Sequence, residues 1–278
     1  MAAAFDQLKV AGLTLEGVAQ GGVQTSIRVP ELKLLFDVGR GGGGMLKYDQ
    51  VLLSHGHQDH AGGLPYIISQ RGMMGKGPLQ VHLPEELAPP LRRILDAWSE
   101  IEGFELQYEL HPHAPGDVFE LQRDLEARAI RTVHRVPSLA YLVSRVTQKL
   151  KAEFQGRPGS EIGALKAEGV DITEAQRTPL ICVTGDTQIE FLLDNDEARK
   201  AQILVHEVTA WDARRSVAQI REWGHTHVEE MIAHAEKFEG EALVLVHRSL
   251  RHDKRFAEQI VRERFPASVR DRVHVFGG

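Results

Sequence analysis

The chain has a single cysteine, Cys182, in 278 residues. That leaves no partner for an internal disulfide and no thiolate cluster for a structural zinc site, so any bound metal must be held by histidine and carboxylate. Long apolar runs are missing as well. No stretch approaches the roughly 20 residues that a membrane span needs, and the opening Met1-Ala2-Ala3-Ala4-Phe5-Asp6 lacks the apolar core of a signal peptide. The expectation is a cytoplasmic protein with no membrane contact. There is no basic excess either: 33 Lys and Arg stand against 39 Asp and Glu, a net charge of -6. This removes the global basic footprint of many nucleic-acid binders, although a local patch or a bound metal centre can still steer a polyanion. The remaining composition, 42% apolar and 26% charged, is that of a globular protein, and the chain reads as one domain over residues 1–278.

Against these absences stands Ser54-His55-Gly56-His57-Gln58-Asp59-His60, directly after the apolar run Val51-Leu52-Leu53. Three imidazoles and a carboxylate within six positions would be costly to bury without partners, and a metal is the economical partner for all of them. Imidazole with carboxylate suits zinc, or less selectively manganese, iron or cobalt. The stretch H-x-H-x-D-H followed by Ala61-Gly62-Gly63-Leu64-Pro65 resembles the metal-binding signature of the metallo-β-lactamase superfamily. That superfamily is chemically broad, so the motif implies a metal-dependent hydrolase without naming a substrate.

In chain order, the residues before the motif read as short strands at Gln24 to Val29, Leu32 to Asp37 and Gln50 to Ser54. The glycines Gly41 to Gly44 lack the strand-to-helix junction of a phosphate loop and read as a flexible connection. Asp37, in a D-x-G element, is either a support behind the metal loop or a strand-end turn carboxylate. A helix is predicted from Gly63 to Arg71, a strand at Leu79 to Leu83, and a helix from Glu85 to Ser99. Strands then follow at Glu105 to Leu110, Asp117 to Leu121, Leu125 to Val133 and Leu139 to Val146. His82, His111 and His113 read as surface histidines with no carboxylate nearby, and His206 and His227 as supporting or surface rings.

Further along, His134-Arg135-Val136-Pro137-Ser138-Leu139-Ala140-Tyr141 resembles the H-x-V-x-S-x-G-Y element of the tRNase Z family, with Ala140 where that family has Gly. Buried strands at Leu180 to Thr184 and Ile203 to Val205 deliver Gly185-Asp186-Thr187 and His206-Glu207-Val208-Thr209. The second of these, together with His225-Thr226-His227, resembles the family's H-E-A-T and H-S-T elements. His247-Arg248-Ser249-Leu250-Arg251-His252 is similar to its H-x-S-x-R-Y, with His252 in place of Tyr. A helix at Asp253 to Phe265 and a strand at Val273 to Phe276 complete the chain.

The resemblance covers nearly the whole chain and implies a fold, a site and a reaction. The fold is an α/β four-layer αβ/βα sandwich, the metallo-β-lactamase fold. The implied metal ligands are His55, His57, His134 and Asp186 for one ion and Asp59, His60, Asp186 and His247 for the other: two Zn(2+) per chain, with Mn(2+) or Fe(2+) as alternatives. Asp59, Glu207 and His225 are the implied catalytic residues, His225 as general acid oriented by Glu207. The substrate is precursor tRNA, cut to release its 3′ trailer by metal-activated water. Gln148 to Thr178, with Lys149, Lys151 and Arg157, reads either as a short projecting arm that touches tRNA or as a solvated loop; Arg251 is a further substrate contact. The family is typically a homodimer. The rival readings are a hydrolase of the same fold acting on a small phosphodiester, a lactone or a thioester, and a non-catalytic binding module that kept the fold.

Overall fold

The computed structural model describes residues 5–277. Most of the opening stretch, residues 1–4, lies outside them. Fifteen strands are formed, in order β1 (Asp6–Val10), β2 (Leu13–Gly21), β3 (Gln24–Val29), β4 (Leu34–Phe36), β5 (Gln50–Leu52), β6 (Leu79–Pro84), β7 (Tyr108–His113), β8 (Val118–Gln122), β9 (Leu125–Arg131), β10 (Leu139–Leu150), β11 (Thr173–Val183), β12 (Ile203–Glu207), β13 (Ala242–Val246), β14 (Arg248–Ser249) and β15 (Val273–Val275). One sheet runs β1-β2-β3-β4-β5-β6-β7, with β14 beside β2; the other runs β15-β13-β12-β11-β10-β9-β8. β1 and β2, which the sequence reading did not resolve, add an antiparallel edge to the first sheet.

Side-chain alternation decides how the layers stack. Along β10, Leu139, Tyr141 and Val143 face the other sheet while Ala140 and Leu142 face helices; β13 sorts Val244 from Leu243 and Leu245 in the same way. The inner faces meet in a core that includes Leu15, Ile27, Phe36, Leu52, Val183 and Val205. The outer face of the second sheet is covered by the helices Val228–His234 and Lys254–Arg264, among others, through Met231, Ala257, Ile260 and Val261. On the first sheet, Leu64–Met73 and Ala88–Glu102 do the same through Ile67, Ile68, Leu91 and Leu95. The result is the expected four-layer sandwich.

Several local expectations need correction. The helix predicted from Glu85 begins as a 3-10 turn, Glu85–Leu87, before the α-helix proper, and Pro89 sits in the latter's first turn where its missing N–H costs nothing. The strand expected at Glu105 starts only at Tyr108. The segment read as an arm from Gln148 is not a bare loop at its base. β10 and β11 continue pairing out to Leu150 and Thr173, so a two-stranded stem carries a tip with the helix Gly159–Ala167. Among the described residues, no helix is long and apolar enough to cross a membrane.

Candidate metal centre

Parallel strands place the site. β4 to β7 are parallel, as are β11, β12, β13 and β15, and the loops leaving their carboxyl ends converge, as ligand-bearing loops do in α/β sheets. β5 leads to His55, β11 to Asp186, β12 ends on Glu207 and β13 leads to His247. His134 comes from the loop after β9, which stops three residues earlier at Arg131 rather than on the histidine itself. Two contacts clamp the sheets together beside the site. Leu139 N donates to Ser54 O at 3.0 Å, and the buried Tyr141 hydroxyl donates to Leu53 O at 2.9 Å.

Two groups of donors face the two oxygens of Asp186, and a third set, Asp186, Glu207, His225 and His247, overlaps them. In the first, His55 Nε2 lies 3.0 Å from His57 Nδ1 and 3.7 Å from Asp186 Oδ2, while His134 Nε2 lies 3.4 Å from His57 Nδ1 and 4.0 Å from Asp186 Oδ2. In the second, His60 Nε2 and His247 Nε2 are 3.3 Å apart, and Asp186 Oδ1 is 3.4 and 3.3 Å from them respectively. Asp59 Oδ2 completes that group at 3.4 Å from His247 Nε2 and 3.7 Å from His60 Nε2. A tetrahedral cation with ligands at about 2.0 to 2.1 Å has donor-to-donor edges of about 3.4 Å, so both groups have the dimensions of a coordination shell.

The proton inventory agrees. His55 Nδ1 donates to Ser54 Oγ (3.0 Å), which in turn donates to Asp37 Oδ2 (2.8 Å); His60 Nδ1 donates to the same carboxylate oxygen (2.7 Å). His134 Nδ1 donates to Gly224 O (2.8 Å) and His247 Nδ1 to Thr209 Oγ1 (3.0 Å). In each ring the other nitrogen is committed to an acceptor, which leaves a bare lone pair on Nε2 pointing into the cluster. In the neutral rings these inward lone pairs would repel, and in His60 the neighbouring carboxylates favour a proton in that place; a cation takes the lone pairs as ligands and replaces that proton. Asp186 Oδ1 is buried without a hydrogen-bond partner, a cost that a bridging cation removes. These residues therefore fit divalent metal.

Asp37 thus supports the metal loop from behind: it also accepts from Ser54 N at 2.7 Å. Gly185 is required by proximity. Its φ is +61°, and a Cβ there would sit 2.5 Å from Ser54 Cβ, so the loop carrying Asp186 could not approach the loop carrying His55.

Burial lowers His55, His57 and His134 from the ordinary imidazole value, which keeps them in the neutral form that binds metal. His60 goes the other way. Burial alone would lower it, but Asp186, Asp37 and Asp59 surround it and raise it to about 9. A metal ion must displace that proton, so metal uptake is expected to weaken as pH falls.

Beside the donors, Glu207 is fully buried and accepts from Thr187 N (3.2 Å), Thr209 Oγ1 (2.9 Å) and His225 Nδ1 (2.7 Å). With both its oxygens occupied, Glu207 is an orienting group rather than a ligand. The His225 ring stacks on His247 at 5.4 Å between centroids. Burial would lower His225, but the Glu207 carboxylate outweighs it and raises the ring to about 9. One hydroxyl, that of Thr209, links the Glu207–His225 pair to His247. The sequence carries Thr209 over from the family's H-E-A-T element without a role, and Ser54 and Gly224 stand in or beside the quoted stretches with none.

The remaining site expectations fall elsewhere. Lys151 is held by Asp171 at 2.9 Å and Arg157 pairs with Glu161 at 3.4 Å, both within the arm, while Lys149 is exposed on its stem. Arg251 is exposed two residues beyond Ser249, close to the site. The surface reading holds for His111, whose side chain is 38% exposed, and is corrected for His82 and His113. Parallel pairing sets His82 opposite His111, and His82 and His113 stack with Phe119 across the gap to the second sheet. His82 is buried, and Asp117 lies 3.9 Å from His113. His206 and His227 are buried too: His206 Nδ1 donates to Glu207 O (2.8 Å), and His227 caps the helix Val228–His234 by accepting from Glu229 N.

Residues 43–248 match the family described as Beta-lactamase superfamily domain. Fold and donor groups together define a metal-dependent hydrolase of that superfamily. Over 256 residues the chain is 36% identical to tRNase Z TRZ1 of Arabidopsis thaliana, covering 91% of each chain. It is 33% identical to the chloroplastic tRNase Z TRZ2 of the same plant, covering 86% of this chain and 68% of that one. The crystal structure of human tRNase Z, short form, superposes with a TM-score of 0.60 at 18% identity, covering 93% of this chain and 94% of the other. The chain belongs to the tRNase Z family.

Proposed function

We propose that the protein is a zinc-dependent endoribonuclease that removes the 3′ trailer from precursor tRNA, with two zinc ions per chain. The observation that carries this reading is the Glu207–His225 pair, 2.7 Å apart, set beside histidine and carboxylate donors that converge on the two oxygens of Asp186. A hydrolase of activated esters needs no such acid; a nuclease that expels a ribose oxygen does. The names of the plant relatives support the choice of RNA.

When bound, the two cations supply Lewis acidity, lowering the pKa of water toward about 7 and offsetting phosphate charge. The residues do the rest. Asp59, whose Oδ2 is steadied by Gly22 N at 2.8 Å, accepts the proton of the attacking water. The P–O3′ bond breaks on the opposite side, and His225 delivers its proton to the departing 3′ oxygen. Because Nδ1 is held by Glu207, Nε2 is the nitrogen left to act. The products are tRNA with a 3′ hydroxyl and a trailer with a 5′ phosphate.

In this reading the chain acts as one cytoplasmic domain and as a homodimer. The arm on its β10–β11 stem, through Lys149, Lys151 and Arg157, holds tRNA bound at the partner's site, and Arg251 touches the substrate near the metals. Purified protein incubated with a precursor tRNA carrying a 3′ trailer should release that trailer at a single position. Hydrolysis of a chromogenic phosphodiester with the precursor left intact would overturn the assignment.

A further inference from the structure

Thr209 has a second face. Its backbone and that of Ser249 floor a small cleft, about 40 Å³, walled by Arg214, Arg215, Trp223 and Arg251. Trp223 is 38% exposed, and charged groups frame its apolar ring as they do at contact surfaces. The Arg215 guanidinium lies over the indole at 5.4 Å from the ring centroid, and Arg215 Nε is buried without a hydrogen-bond partner. The opposing carboxylate is Asp212, which is occupied by Arg214 at 2.5 Å. Arg215 and Arg251 have no carboxylate partner among the ion pairs of the described residues, in a chain whose net charge is -6.

The same turn joins this surface to the chemistry. Trp223, Gly224 and His225 are consecutive: Gly224 O orients the ligand His134, and His225 is the proposed acid. The Trp223 and His225 Cα atoms can be no more than about 7.6 Å apart. A nucleotide whose 3′ oxygen receives the His225 proton is thus near enough for its base to reach the indole. The cleft is too small to swallow a base, so a base would lie flat on the exposed indole, with its phosphate toward the arginines.

We propose that Trp223, with Arg215 and Arg251, forms the subsite for the nucleotide immediately upstream of the scissile phosphate, the last one retained in the tRNA. This rests on the tRNA-processing reading above, because the direction of proton delivery fixes which side of the cut faces Trp223. The contact is stacking plus phosphate charge, so it accepts any of the four bases rather than selecting one.

The test uses the full chain loaded with zinc and three precursor tRNAs: unmodified, abasic at the last retained nucleotide, and abasic at the first trailer nucleotide. Trp223→Ala should lower kcat/KM on the unmodified substrate by about 5- to 150-fold, the range of base stacking on an aromatic ring. Its rate on a chromogenic phosphodiester should stay at the wild-type level. On the substrate abasic upstream, wild type and variant should be equal, whereas on the substrate abasic in the trailer the difference should persist. Trp223→Phe should restore most of the loss, and Arg215→Gln should weaken KM on all three. If Trp223→Ala loses the same factor with the upstream base absent, or if the loss disappears only when the trailer base is absent, the subsite assignment is wrong. Failure of the wild type to cut any precursor would instead overturn the tRNA reading, a distinguishable result.

Discussion

Replacing His225 by Ala isolates the one step that separates RNA cleavage from hydrolysis of an activated ester. His225 lies in a third donor set with Asp186, Glu207 and His247, but its Nδ1 is engaged by Glu207 and it is absent from the other two sets, so metal content should survive. Glu207 loses its shortest hydrogen bond, 2.7 Å, but keeps Thr187 N and the Thr209 hydroxyl, so the buried carboxylate remains partnered. The cost in folding is about 1.5 to 3 kcal/mol, that of one hydrogen bond to a charged group. General acid catalysis is worth about 10² to 10⁴ in rate, equivalent to about 3 to 5 kcal/mol of barrier. Single-turnover cleavage of precursor tRNA should fall by that factor. A substrate with sulfur in place of the departing 3′ oxygen expels a thiolate that needs no proton, and on it the variant should approach the wild-type rate. Glu207 outweighs burial and raises His225 to about 9, so the ring keeps its proton at neutral pH. Nearby cations push that value down; the alkaline fall of wild-type kcat/KM should lie at or below about pH 9 and be absent in the variant. Equal impairment on oxygen and sulfur substrates with metals retained would refute the reasoning and make His225 a phosphate-binding group.

Three further outcomes are expected. Asp186→Ala should lose both metals by elemental analysis, since its two oxygens face different donor groups, whereas His247→Ala should lose mainly one; a metal content unchanged by Asp186→Ala would exclude the bridge. Deleting Lys151 to Ala167 should raise KM for precursor tRNA and leave a chromogenic phosphodiester unaffected, because remote contacts bind substrate and transition state alike; equal loss on both substrates would make the segment structural. Chelated protein should lose thermal stability as pH rises from about 6.5 to about 9. His60 and His225 both have folded values raised to about 9 from 6.5, so their stabilisation is complete below 6.5 and gone above 9. Metal-loaded protein, in which His60 carries no proton, should show a smaller fall, and identical pH profiles would contradict the proposed protonation of the metal-free site.

What could be read from the sequence follows the range of the forces involved. His55, His57, Asp59 and His60 were legible because four donors within six positions have no other economical use. Asp186, Glu207 and His247 were legible through the resemblance of their stretches to family motifs, each at the end of a short apolar strand, where α/β proteins gather ligands. The larger misreadings depend on strand pairing. His82 was taken for a surface ring because nothing local shows that β6 will lie beside β7, with His111 opposite it and Phe119 above it. The arm was read from Gln148 because the polar run Gln148-Lys149 and Glu174-Ala175-Gln176 lacks periodic apolar residues; its strands hold by backbone pairing with each other rather than by burial. β1 and β2 went unread although Leu13 and Leu15 alternate toward the core, the period being interrupted by Gly17 and Ala19.

The backbone itself records where the site overrules local preference. Among non-glycine residues, Asp37 and His247 hold φ values of +53° and +62°, in a region that L-residues enter at a cost. Each stands where a side chain must leave the strand direction at once. Asp37 turns back to accept from Ser54 N, Ser54 Oγ and His60 Nδ1 within one residue of β4, and His247 turns at the end of β13 so that Nε2 meets Asp186 while Nδ1 reaches Thr209. Glycine would relax either turn but supplies no carboxylate and no imidazole. Ala11 and Lys33 enter the same region at ordinary turns; at Asp37 and His247 the strain is held in place by the hydrogen bonds and donor geometry it makes possible.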